Sequence, residues 1–286
     1  MTANELNTKF FPNWCGGCGN FGIWAAFKNA AVAKNWDNTN TVLVAGIGCH
    51  GHIINFINLT SFEGLHGRAI PVATGIKLAN HKLNVFVFTG DGDCLGEGGN
   101  HFIHACRRNL NLTILLHDNA VYGLTTGQTS PTSPCHYTSR STPGGNFDSP
   151  INPITLAIAS GATYVARAYS TDIKNLTQIM IEANDHEGLA VIDIMQPCVT
   201  FNKDYTHNFF QTSSYQLGPD YDPTNKIKAL EKSFEWAGDN SKIPLGVIYK
   251  EVRPSYESQL PQLKNGPLVS TPATGRDISE ILPVAK

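Results

Sequence analysis

The sequence predicts an α/β fold, a parallel sheet with helices on both faces, followed by a C-terminal arm. Three observations carry this. Short, continuous apolar runs alternate with helical stretches from Asn20 to Met195. The runs are apolar throughout rather than at every second residue, as in strands covered on both faces. Two of them end on turns, Gly90-Asp91-Gly92-Asp93 and Asn119-Ala120-Val121-Tyr122-Gly123, where open α/β sheets hold ligands at the carboxyl ends of their strands.

Asn20 to Lys34 reads as an alanine-rich helix with mixed faces. Thr41 to Ile47 is a buried strand that ends at Gly48-Cys49-His50-Gly51-His52. Ile70 to Asn80 is a helix, with Pro71 near its start, where proline is tolerated. A strand over Asn84–Thr89, a helix over Gly99–Asn109 and a strand over Leu112–Asp118 follow. Leu124 to Asn152 is a long loop rich in Ser, Thr, Pro and Gly; such loops are functional lids or binding loops more often than mobile insertions. Pro153–Ser160 is a helix and Thr163–Ala166 a strand. Thr171 is placed to cap a helix that reaches Asp185. Leu189–Met195 is the last buried strand, ending on Gln196-Pro197-Cys198. Beyond Phe201 the chain is polar and aromatic without period up to Asn225, then forms one amphipathic helix over Lys226–Ala237, and is Pro-rich from Gly266 to Lys286. Residues 1–201 are therefore expected to form one domain, and residues 202–286 an extension that covers it or grips a partner.

Composition narrows the function. The chain has 286 residues, 41% apolar and 15% charged, with a net charge of −2. No polyanion partner is implied, so no nucleic acid is expected. No apolar run is long enough to span a bilayer, and Met1–Lys9 lacks the apolar centre of a signal peptide. A cytoplasmic protein with no membrane contact is expected. Its 7 cysteines then read as ligands or buried thiols rather than disulfides.

Four of those cysteines stand at positions suited to ligation. Cys15 and Cys18 form a C-x-x-C flanked by Gly16, Gly17 and Gly19, and Cys49 and Cys198 each follow a strand. This pattern admits an iron–sulfur cluster or a four-thiolate zinc site. A redox dithiol fits less well, because the C-x-x-C does not follow a strand. Cys106 reads as a small buried hydrophobe and Cys94 as packed beside the acidic turn. Cys135 lies between prolines in the long loop, where it could be exposed.

The acidic turn suits a hard cation. Neighbouring parallel strands would set Asp91 beside Asn119, with the Val121 carbonyl on the same side. Completed by phosphate oxygens and water, these make an oxygen set for Mg²⁺. Gly92, Gly96, Gly98 and Gly99 would let backbone amides approach a phosphate, aided by the positive end of the following helix. An Asp-Gly pair alone is often only a turn; its pairing with Asn119 one strand later makes the motif specific. His50, His52 and His66 fall on loops at the same edge, and Gly67-Arg68 adds a cation. Glu97 reads either as support for the metal or as a solvated carboxylate. His101, His104 and His117 read as structural.

Taken together, the blocks WCGGCG, GIGCHGH, LHGRAIPVATGIKLAN, GDGDCLGEGGNHFIHACRRN, HDNAVYGLTTGQTSPTS and QPCVTFN resemble the β subunit of 2-oxoacid:ferredoxin oxidoreductases, over roughly Phe11–Phe201. The resemblance implies a thiamine-diphosphate-binding fold, the half that holds the diphosphate, with thiamine diphosphate, Mg²⁺ and one [4Fe–4S] cluster. It implies cluster ligation by Cys15, Cys18, Cys49 and Cys198, and Mg²⁺ at Asp91, Asn119 and the Val121 carbonyl. Thiamine diphosphate contacts are implied at Ile47, Gly48, Cys49, His50, His66, Gly92, Asp93, Gly123 and Leu124. The implied reaction is coenzyme A-dependent oxidative decarboxylation of a 2-oxoacid to acyl-CoA and CO₂, with electrons passed to ferredoxin. An α subunit is implied as partner, in a heterodimer or a dimer of heterodimers, and would supply the activating glutamate. Relatives often carry a basic residue where His52 stands and Lys where Thr126 stands, which points away from a dicarboxylate such as 2-oxoglutarate. The block LHGRAIPVATGIKLAN points toward 2-oxoglutarate.

Overall fold

The structure, a computed structural model, describes residues 2–236 and 242–271. In chain order it contains α1 (Asn20–Lys34), β1 (Thr41–Ala45), β2 (Ser61–Glu63), α2 (Ala69–Ala79), β3 (Asn84–Gly90), α3 (Gly99–Arg108) and β4 (Thr113–Asp118). A short hairpin follows, β5 (Val121–Tyr122) with β6 (Gln128–Thr129). Then come α4 (Pro153–Ser160), β7 (Tyr164–Tyr169), α5 (Ile173–Asp185), β8 (Ala190–Met195), α6 (His207–Ser213), β9 (Ser214–Gln216), α7 (Lys226–Ser233) and β10 (Ile243–Lys250).

The eight-stranded sheet runs β2-β1-β3-β4-β8-β7-β10-β9. Strands β2 through β7 in that order are parallel, and β10 is antiparallel to β7. β1, β4, β7 and β8 are buried at every residue, so the sheet is covered on both faces as their apolar runs require. Alternate residues divide between two cores. Leu43, Phe86, Leu115, Ala166 and Ile192 pack under α1 and α5. Val44, Val87, Ile114, Val165 and Val191 pack under α2, α3, α4 and α7.

Several expectations are corrected. The stretch after Phe201 contains α6 and β9, and an unforeseen strand, β10, joins the main sheet. β10 escapes notice because Pro244 and Gly246 interrupt it and its pairing slips between Val247 and Tyr249. Asp172, not Thr171, caps α5: its carboxylate accepts the Asn175 amide. The loop expected over Leu124–Asn152 contains β6, and α7 ends at Ser233; Ala237 and residues 272–286 lie outside the described residues. No helix among the described residues is long and apolar enough to cross a membrane.

One buried ion pair holds the middle of the sheet. Arg167 on β7 lies opposite Asp193 on β8; both are fully buried, with Nε 2.9 Å from Oδ2. Removing one partner strands a charge in the interior, which costs about 3–5 kcal/mol. We expect Asp193→Leu to lose about that much in urea unfolding, and the double change Arg167→Met/Asp193→Leu to recover most of it. A double variant as unstable as the single one would show that the pair is not the cause.

Candidate cofactor and thiol site

The carboxyl ends of β1, β3, β4 and β8 meet along one edge, and two adjoining cavities open there. The first, of about 90 Å³, is lined by Ile47, Gly48, Cys49, His50 and His66 from the loops after β1 and β2. Asp91, Gly92 and Asp93 line it after β3, and Asn119, Val121, Gly123 and Leu124 after β4. β3 pairs with β4 in parallel register, Gly90 opposite His117, and this sets Asp91 and Asn119 on one rim.

Asp91 is 2% exposed. Its Oδ2 accepts hydroxyls from Ser130 (2.5 Å) and Thr132 (2.7 Å), both on the long loop. Burial pushes its carboxyl above the ordinary carboxylate range, against the pull of these hydroxyls. Asn119 Oδ1 accepts the Val121 amide at 3.0 Å, which closes the tight turn carrying both residues. A carboxylate, an amide oxygen and a backbone carbonyl form a hard donor set that suits Mg²⁺ shared with a diphosphate.

Asp93 has a structural task beside its place in the cavity wall. Its carboxylate accepts the amides of Ile47 (3.1 Å) and Gly67 (2.8 Å) and the Thr89 hydroxyl (2.6 Å). Burial opposes its ionisation, but the facing His50 ring and these donors outweigh that and hold its carboxyl below the ordinary value. His50 Nε2 is 3.6 Å from Asp93 Oδ2 and makes no hydrogen bond among the described residues. The ring of His50 packs against Gly48 and Gly90, where a Cβ would stand 2.6–2.7 Å from it.

Some sequence expectations change here. Gly92 and Gly96 lie against Tyr122, which a Cβ on either would strike, and Gly92 also lines the first cavity. Residues Gly92–Glu97 form a single wide π-type turn before α3. Arg68 is exposed and turns its guanidinium to the Glu97 carbonyl, so it does not face the cavity. Glu97 is exposed and lines neither cavity. His117 is buried and paired with Asn20, and burial lowers its pKa well below that of a free imidazole. Cys94 and Cys106 are buried in the core and Cys135 is exposed. Ser130 and Thr132 fall inside the block HDNAVYGLTTGQTSPTS, but nothing local marks the carboxylate they meet.

The second cavity, of about 250 Å³, gathers Cys15, Cys18, Cys49 and Cys198 with His52 at its wall. The C-x-x-C closes on itself through the Cys18 amide and Cys15 carbonyl at 3.0 Å, with Gly17 at φ +86°. Trp14 Nε1 donates to the Cys49 carbonyl at 2.7 Å, and the Gly19 amide donates to the Pro197 carbonyl at 3.3 Å. Those bonds draw three distant segments to one place. A Cβ on Gly123 would lie 3.4 Å from Cys198 Sγ and 3.7 Å from Cys49 Sγ, so the turn after β4 runs against the sulfurs. Thr126, in the same hairpin, is exposed and takes φ +79°.

Burial first, and the nearby sulfurs of Cys198, Cys49 and Cys15 as a smaller cause, push the Cys18 thiol up to about 12. Burial and the sulfurs of Cys198 and Cys15 push Cys49 to about 11. Four thiols so close cannot all ionise without a bound cation to offset their repulsion. Among the described residues, no three His, Cys, Asp or Glu side chains converge closely enough to share a single metal ion. Four thiolates drawn from separate loops suit a cubane cluster, whose irons take one each, and a tetrahedral zinc site alike.

The sheet, the rim and its acidic turn define a thiamine pyrophosphate enzyme. Residues 46–194 match the thiamine pyrophosphate enzyme C-terminal TPP-binding domain, and residues 198–265 match the C-terminal region of the pyruvate ferredoxin oxidoreductase β subunit. The chain is 44% identical to the β subunit of 2-oxoacid:ferredoxin oxidoreductase 1 of Aeropyrum pernix, over 96% of this chain and 89% of that one. It is 46% identical to the corresponding β subunit of a Sulfolobus species, over 93% and 91%. A solved structure, 2-oxoglutarate:ferredoxin oxidoreductase from Magnetococcus marinus with 2-oxoglutarate, coenzyme A and succinyl-CoA bound, superposes with a TM-score of 0.91 at 35% identity, covering 100% of this chain and 96% of that one. The chain belongs to the β subunits of the 2-oxoacid:ferredoxin oxidoreductases, and the resemblance read from its motifs is thereby established.

Proposed function

We propose that this chain is the subunit in which a 2-oxoacid is decarboxylated with coenzyme A and its electrons pass through a [4Fe–4S] cluster to ferredoxin. One observation carries the reading: the diphosphate cavity and the thiol cavity share Cys49, Asn119, Gly123 and Leu124 as a common wall. Whatever the two cavities hold is separated by one layer of side chains.

In this reading Asp91, Asn119 and the Val121 carbonyl hold Mg²⁺, and Ser130 and Thr132 fix the orientation of Asp91. Ile47 to His50, His66, Gly92, Asp93, Gly123 and Leu124 surround the diphosphate end of the cofactor. Asp93 holds the loops of Ile47 and Gly67 in place, which preorganises that wall. Thiamine diphosphate supplies, when bound, the nucleophilic carbon and the electron sink for decarboxylation. Cys15, Cys18, Cys49 and Cys198 hold the cluster, and their loops keep it against the wall shared with the cofactor.

The site is incomplete in this chain. The matched thiamine domain is a single one, and exposed apolar side chains stand near its mouth: Leu65 is 78% exposed and Leu124 49%. An α subunit would cover these and supply the activating glutamate. For substrate, 2-oxoglutarate is favoured, since the solved relative carries it and a 36% identical relative from Archaeoglobus fulgidus is named 2-oxoglutarate synthase subunit KorB. Pyruvate is the second candidate.

We expect the isolated chain to show no turnover and the co-expressed α–β complex to reduce a low-potential dye with 2-oxoglutarate and coenzyme A under anaerobic conditions. A panel of 2-oxoacids ranks the substrates. Full turnover by the isolated chain, or no activity of the complex with any 2-oxoacid, would sink the proposal.

A further inference from the structure

One side chain ties the thiol cavity to the wall it shares with the first cavity. Gln196, the first residue after β8, is 2% exposed. Its Oε1 accepts a hydrogen bond from Asn119 Nδ2 at 2.8 Å. Its Nε2 donates to Cys18 Sγ at 3.3 Å and to the Pro197 carbonyl at 3.1 Å. The direction of this chain of bonds follows from the backbone. The Val121 amide can only donate, so the Asn119 oxygen must face it. That turns the Asn119 amino group to Gln196, which must answer with its oxygen. The Gln196 amino group is then left for the Cys18 sulfur. Gly19 holds the side chain there, since a Cβ at Gly19 would lie 2.8 Å from Gln196 Cγ.

We infer that Gln196 is a positioning residue that links the two centres: its oxygen fixes the rotamer of Asn119, and its amino group donates to the Cys18 sulfur and so raises the reduction potential of the cluster. This rests on the Mg²⁺ and cluster assignments proposed above. An N–H donor to a ligating sulfur stabilises the added negative charge of the reduced cluster. Partners that orient a metal ligand are worth about 10–100-fold in affinity.

Two substitutions in the α–β complex separate the two halves. Gln196→Leu removes both bonds. Its affinity for thiamine diphosphate with Mg²⁺, measured by calorimetry, falls about tenfold or more. Its cluster midpoint, measured by anaerobic EPR-monitored titration, moves to lower potential by about tenfold in the reduction equilibrium, which is about 59 mV for one electron. Gln196→Glu keeps an oxygen for Asn119 but has no hydrogen for Cys18 when ionised. It lowers the potential while leaving cofactor affinity near the native value. If Gln196→Leu does not assemble a cluster, Gln196→Glu carries the test alone. Unchanged potentials in cluster-bearing variants, or equal loss of affinity in both, overturn the inference. A native complex without an iron–sulfur EPR signal overturns the cluster assignment itself and is seen before any variant is made.

Discussion

Cys198→Ala is expected to abolish 2-oxoacid-dependent ferredoxin reduction while leaving thiamine diphosphate binding in place. Cys198 is far in sequence from the C-x-x-C, yet the bond between Gly19 and Pro197 sets its loop beside Cys18. Its sulfur also lies against Gly123, at the wall between the two cavities. Alanine there leaves three thiolates for a cluster that takes four. The diphosphate cavity does not include Cys198, so cofactor affinity changes little. Anaerobic visible spectra with iron and sulfide analysis of the α–β complex read the first effect, and calorimetry the second. A variant with native iron content and native dye reduction refutes the cluster assignment. A native complex that is colourless and contains zinc does the same.

Asp91→Asn is expected to weaken thiamine diphosphate binding with Mg²⁺ by at least about 100-fold, since even outer partners of a metal ligand cost about 10–100-fold. Asparagine keeps the shape and still offers an oxygen to Ser130 and Thr132, so the loop that packs on Asp91 has no cause to move. Burial disfavours the Asp91 carboxylate, so the neutral replacement leaves the melting temperature of the cofactor-free protein unchanged or higher. Loss of binding with retained stability marks a ligand; loss of both marks a merely structural residue. Chelation of the native complex with EDTA should reproduce the loss of activity, and added Mg²⁺ should restore it. Native affinity in Asp91→Asn would remove Asp91 from the metal site.

Much of the fold was legible because its signals are local. The buried strands β1, β3, β4, β7 and β8 announce themselves as unbroken apolar runs, and α4 keeps its expected bounds, Pro153–Ser160. β10 was not legible, because Pro244 and Gly246 are tolerated only through its place beside β7 and β9. The candidate site divides in the same way. Asp91, Asn119 and the cysteines carry a recognisable spacing. Ser130, Thr132 and Gln196 fall inside the blocks that carry the resemblance, but their partners stand across the fold and no spacing names them. The same holds for Gly92 and Gly96, whose lack of a side chain makes room for Tyr122.

Residue order alone settled the buried strands and the helices up to Met195, which turns bear hard oxygen donors and which cysteines could ligate, since these depend on neighbours along the chain. Only the folded molecule decided that the thiol cavity and the diphosphate cavity share a wall, and that Gln196 joins Asn119 of that wall to Cys18. Those facts depend on strand order and on hydrogen bonds between segments more than seventy residues apart, as between Asn119 and Gln196, and no local pattern encodes such pairings.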